Sequence, residues 1–126
     1  MIREITTTSM LPTLRPGDRV RFTRSGRAPK PGEIWAFAAS DGRHHIAHRV
    51  LWRRRDGRVL TKGDWLLLPD GWIAPDRFFG PAVERSRAGA WRSLLRKRDR
   101  ARGLVITALG SACVALEKLL TRRAAR

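Results

Sequence analysis

The sequence predicts a mainly β protein, a compact barrel or sandwich with a helical C-terminal extension. Three observations carry this. Short apolar alternations recur from Ile2 to Val83, and the breaks between them are filled by residues that favour turns. No helical periodicity intervenes before Glu84, and regularly spaced short strands without helices mark compact β architectures. At 126 residues there is room for one domain of ordinary size.

The strands are read in order as Ile2 to Thr7, Arg19 to Thr23, Glu33 to Ala38, Ile46 to Trp52 and Arg58 to Lys62. Trp72-Ile73 and Phe78-Phe79 to Val83 supply further candidates. Arg15-Pro16-Gly17-Asp18, Pro29-Lys30-Pro31-Gly32, Ser40-Asp41-Gly42 and Arg55-Asp56-Gly57 separate them, each a turn by its Gly, Pro or Asp chemistry. Asp56-Gly57 between Val50-Leu51-Trp52 and Val59-Leu60 reads as a hairpin.

The composition changes near Glu84, which divides the chain into a β domain (1–84) and an extension (85–126). Arg85 to Arg102 holds eight basic residues and one acid, Asp99. Leu104 to Leu116 carries no charge, and a basic terminus follows. This region reads as one or two helices. Thirteen residues of helix make ~20 Å against a hydrocarbon core of ~30 Å, too short for an ordinary span. With basic flanks on both sides, the segment suits an anionic membrane surface at ~1 kcal/mol per basic residue. The competing reading packs the helix on the β domain through Ala108, Gly110, Ser111 and Ala112.

Lys and Arg outnumber Asp and Glu by 27 to 11, a net charge of +16. All but four of the basic residues are arginine, a ratio that codon bias also produces. Nucleic acid and anionic membranes are the partners such a charge invites. Cys113 is the single cysteine, which excludes an internal disulfide and a thiolate metal cluster and suits a packed thiol. Met1-Ile2-Arg3-Glu4-Ile5 has no apolar run, so neither a signal peptide nor an N-terminal anchor is expected.

Chemistry concentrates at Ser9-Met10-Leu11-Pro12-Thr13-Leu14, followed by Gly17-Asp18-Arg19-Val20. Pro12 stiffens the turn after Ser9, and a stiff turn presents a nucleophile without side-chain wandering. A serine also needs a base to take its proton. His44, His45 and His48 are candidates, as are Lys30 and Lys62. His44 and His45 lie beside a turn, whereas His48 sits mid-strand in Ile46-Ala47-His48-Arg49-Val50. Farther on, Leu60-Thr61-Lys62-Gly63-Asp64 precedes a second aspartate, Asp70.

Ser-Met-x-Pro-Thr-Leu with Gly-Asp-x-Val resembles the nucleophile box of the signal peptidase I family of serine endopeptidases, whose relatives, the self-cleaving repressor peptidases, have a looser version. His-Arg-Val is similar to the general-base motif of the endoplasmic-reticulum-type branch. The bacterial branch places a lysine there. Thr-Lys-Gly-Asp with an aspartate six positions later resembles that branch's acidic box. The three boxes together cover roughly residues 7 to 83.

What the resemblance implies is a Ser-His-Asp peptidase with Ser9 as nucleophile and His48 as base. Asp70 would orient His48 and Asp64 would support the site. Thr7 stands where the family often has serine or glycine, and its hydroxyl would join the Ser9 N–H at the oxyanion. Met10 and Pro12 would serve as pocket wall. Trp65 replaces the asparagine that often follows the family's Gly-Asp. The implied substrate is a signal or leader peptide of a preprotein, bound as an extended strand and cut after small residues, with no metal or organic cofactor. The expected location is a membrane surface. The alternatives are a cytoplasmic leader-peptide or regulatory peptidase, a basic nucleic-acid-binding β-barrel with stacking tryptophans, and a catalytically dead scaffold. No specific nucleic acid is expected as partner.

Overall fold

The computed structural model describes the backbone of residues 1–124, leaving aside the side chains of 110–118, 121 and 124 in the last helix. The strands are β1 (Ile2–Glu4), β2 (Arg19–Phe22), β3 (Ile34–Ala38), β4 (His45–Arg53), β5 (Val59–Lys62), β6 (Trp72–Ile73), β7 (Phe78–Arg87) and β8 (Ala90–Ser93). A single helical turn (Pro75–Arg77) precedes β7, and α1 runs over Lys97–Ala124. Every strand pairing is antiparallel, in the order β1-β2-β7-β3-β4-β5-β6, with β8 on β7.

The mainly β class therefore holds, but the barrel does not close. β1 and β6 end an open eight-stranded sheet. The physical reason lies in β7, whose ten residues pair with β3 through their first half and with β2 through their second. Long β7 bends the sheet around its core and leaves the short terminal strands without each other.

That core has two parts, and β3 separates them. Ile34 and Ala36 pack with Met10, Leu14, Val20, Phe22 and Ala82. Trp35, on the alternate face, packs with Val50 and Val59. Because both faces of β3 are covered, its sequence Ile-Trp-Ala-Phe-Ala shows no polar alternation.

The helical reading of the basic stretch after Glu84 is corrected. Residues through Ser93 continue the sheet, and only from Lys97 is the chain helical. Ala88 and Gly89 both take positive φ, 51° and 78°, the two-residue turn that matches the twist of a hairpin. Two ion pairs tie this ribbon to β2 and the turn before it. Arg87 donates to both carboxylate oxygens of Asp18 at 3.0 and 2.7 Å, and Arg21 pairs with Glu84 at 2.6 Å.

The start of α1 packs on the sheet. Gly103 and Thr107 are buried, so the contact lies one turn ahead of the Ala108–Ala112 stretch that the sequence suggested. Gly110, Ser111, Ala112 and Cys113 belong to side chains outside the described residues. Ala108 and Leu109 are exposed. Among the described residues, no helix is long and apolar enough to cross a membrane.

Candidate functional site: a serine, a histidine and two aspartates

Ser9 lies in the turn between β1 and β2, held by what its neighbours bury. Met10 and Leu14 are core residues, 2% and 0% exposed, and Leu14 N–H closes a turn on Met10 O at 2.9 Å. The Trp65 N–H donates to Ser9 O at 3.0 Å. Gly63 makes this contact possible, since a Cβ there would stand 2.5 Å from Ser9 O. The residues flanking Asp64 thus clamp the backbone that carries Ser9.

His48, on β4, is 6% exposed and bridges the other members. Its Nε2 lies 3.2 Å from Ser9 Oγ, and its Nδ1 lies 2.6 Å from Asp70 Oδ2. The same Asp70 oxygen accepts the Thr61 hydroxyl at 2.7 Å, while Asp70 N–H donates to Thr61 O at 2.8 Å. With Nδ1–H donated to a carboxylate, Nε2 is left with its lone pair toward Ser9, the tautomer a general base requires.

Asp64 plays another part. It is buried, and Arg49 donates Nε–H to Oδ1 at 2.8 Å and an NH2 hydrogen to Oδ2 at 2.7 Å. Thr13 and Thr107 hydroxyls donate at 2.6 and 2.9 Å. This joins the nucleophile turn, β4, the acidic loop and α1 through one carboxylate. Gly103 leaves the space for the Arg49 guanidinium, which a Cβ would strike.

The remaining sequence candidates divide. Thr7 Oγ1 lies 3.4 Å from Ser9 Oγ. Met10 lines the cleft beside Ser9, but Pro12 does not. Pro12, after a cis Leu11–Pro12 peptide, lines a different cavity. Lys62 is fully buried and donates to Gly63 O at 3.1 Å. Burial lowers its pKa, with Asp64 and then Asp70 pulling the other way; its ammonium makes no bond to Ser9. His44 pairs with Asp41 on the surface at 2.7 Å. The sequence reading gave no role to Arg49, Thr61, Thr13 or Thr107. Arg49 and Thr61 lie inside the quoted boxes, whereas nothing in the sequence connects Thr107 to Asp64.

The cleft at Ser9 encloses about 620 Å³. One wall is the end of β1 and the segment Ile5 to Thr7, and the other is Arg43 to His48. Both walls offer open strand edges. β1 pairs only with β2, and β4 meets β5 only from Arg49 onward, which leaves His45 to His48 unpaired on that side.

No protein-family model, no curated protein and no solved structure significantly matches this chain.

Proposed function

We propose that this protein is a serine endopeptidase that resembles signal peptidase I in its endoplasmic-reticulum-type, Ser-His-Asp form. The observation that carries this reading is the chain of contacts Ser9 Oγ, His48 Nε2, His48 Nδ1 and Asp70 Oδ2, at 3.2 and 2.6 Å. In the reaction, His48 takes the Ser9 proton as Oγ attacks a peptide carbonyl, then returns it to the leaving amine. Asp70 stabilises the imidazolium between those steps. The Ser9 N–H and the Thr7 hydroxyl serve as donors to the oxyanion, and one such donor is typically worth ~3–4 kcal/mol of barrier. Asp64 positions the turn through Arg49 and Thr13, and takes no proton.

The substrate lies extended in the cleft, adding its backbone to the open edges of β1 or β4. Signal or leader peptides cut after small residues are the substrate class that the family likeness supports. The basic ribbon and α1 bring the enzyme to an anionic membrane surface, where preproteins are processed. A cytoplasmic leader-peptide or regulatory peptidase uses the same site without the membrane.

The test is cleavage of a leader-peptide library by the purified full chain. Ser9→Ala and His48→Ala should each abolish turnover, and the double variant should be no worse, because the two act as one unit. Undiminished cleavage by Ser9→Ala would falsify the assignment.

A further inference from the structure

Behind the nucleophile turn lies a second cavity, about 190 Å³, between the β7–β8 ribbon and the first turns of α1. Its wall contains six arginines and one carboxylate, Asp99. Three of the arginines have carboxylate partners. Arg49 is held by Asp64 and Arg87 by Asp18, both at 2.7 Å, and Arg92 stands 3.8 Å from Asp99. Among the described residues, Arg15, Arg85 and Arg102 have no carboxylate within ion-pair distance.

Arg85 is the most constrained of them. One of its terminal nitrogens donates to Thr13 O at 3.0 Å, but its Nε is buried with no partner. Burial, and then Arg87, Arg92 and Arg15, disfavour its charged form, with only Asp18 opposing them. Asp99, also in the cavity wall, has its Oδ2 buried and unpartnered. Like charges held together in a partly desolvated pocket are costly unless a counter-ion joins them.

We propose that this cavity binds a phosphate group in its hydrogen-phosphate form. Forked guanidinium donors match the oxygens of a tetrahedral oxyanion. As inorganic hydrogen phosphate the occupant brings two negative charges against three uncompensated positive ones; a phosphomonoester keeps its P–OH only as the monoanion and brings one. The P–OH supplies the hydrogen that Asp99 Oδ2 lacks, which a sulfate has no means to offer. The cavity is smaller than the ~300–1,000 Å³ of sites for drug-sized ligands, which suits an inorganic phosphate or the monoester tip of a lipid headgroup. Since Arg85 and Arg87 both donate to Thr13 O, an occupant also braces the turn that carries Ser9.

Calorimetric titration of the full chain with inorganic phosphate, at neutral pH and fixed ionic strength, tests this. Saturable one-to-one binding is expected, with sulfate at least tenfold weaker. Arg85→Gln should weaken phosphate at least tenfold. Arg102→Gln, at an exposed side chain whose loss leaves the fold intact, should do the same, and Asp99→Asn should bring phosphate and sulfate close together. Sedimentation with phosphatidylcholine vesicles separates the two sources. Retention by phosphatidic acid over phosphatidylglycerol, lost in Arg102→Gln, assigns a lipid headgroup. Equal retention by both lipids, with free phosphate still binding, assigns the free anion. Heats no different from chloride, or phosphate affinity unchanged in Arg102→Gln, would overturn the proposal.

Discussion

Asp70 Oδ2 receives two hydrogen bonds, from His48 and from Thr61, so the carboxylate cannot rotate away from the imidazole without breaking one of them. Asp64 accepts from Arg49, Thr13 and Thr107, all of them donors from the scaffold. Isosteric amides separate the two roles. Asp70→Asn can present an NH2 to Nδ1 and stabilise the wrong tautomer, a change that costs about 10⁴-fold in kcat in the Ser-His-Asp template. Its thermal midpoint should stay close to that of the wild type. Asp64→Asn leaves the buried Arg49 guanidinium without its counter-charge, at ~3–5 kcal/mol of stability, so its defect should be seen in the melt first. Turnover and calorimetric melting on the same two preparations check this, and the opposite pattern would exchange the roles. The sequence boxes named both aspartates and the resemblance favoured Asp70 as the partner of His48; Asp70 is the one whose carboxylate lies 2.6 Å from His48 Nδ1.

Strand and helix patterns were legible where burial alternates simply. The hairpin around Asp56-Gly57 and the strands β2 to β5 could be read directly. The end of β7 and all of β8 could not, because Arg85, Arg87 and Arg92 occupy positions where the pattern calls for apolar residues. Arg49 was hidden for a similar reason. Alternation turns it away from His48 and toward solvent, yet α1 covers it. The glycine that admits it, Gly103, supplies a prediction. Gly→Ala in an exposed helix interior stabilises by ~1 kcal/mol. Here the added methyl meets the Arg49 guanidinium, and Gly103→Ala should destabilise by ~1–3 kcal/mol as an overpacked contact. Urea unfolding decides the sign. A gain in stability would mean that the helix is not seated on Arg49.

The whole molecule carries +16, and three of its acids, Asp18, Glu33 and Asp64, are buried against arginines. Glu33 is the clearest case. It accepts two bonds from Arg27 at 2.9 and 2.7 Å and one from the Lys30 N–H at 2.8 Å. Burial raises its pKa, but Arg27, the backbone and Trp35 outweigh that and hold it below the ordinary 4.5. Asp18 is likewise lowered, Arg87 and the Arg15 N–H outweighing burial. A depressed carboxylate contributes stability that is present above the unfolded pKa and lost as pH falls through the folded one. Melting temperature should therefore hold down to about pH 5 and then drop. In Arg27→Gln the protein should be less stable at neutral pH and the acid drop shallower, since Glu33 loses its chief partner and its folded pKa moves back up. A profile that Arg27→Gln leaves unmoved would remove Glu33 from this account.

The same excess charge also underlies the nucleic-acid alternative. Of the chain's five tryptophans, Trp35 is wholly buried and offers no stacking face, while Trp52 and Trp65 are more than 60% exposed. In the proposed reaction Ser9 attacks a carbonyl carbon with His48 as its base. The most direct test of this step is intact-protein mass spectrometry after rapid acid quench of a reaction with an activated peptide ester. One added acyl mass is expected, mapped by proteolysis to Ser9, absent from Ser9→Ala and lost or greatly slowed in His48→Ala. An acyl group that forms at an undiminished rate in both variants, or maps to another residue, would contradict it.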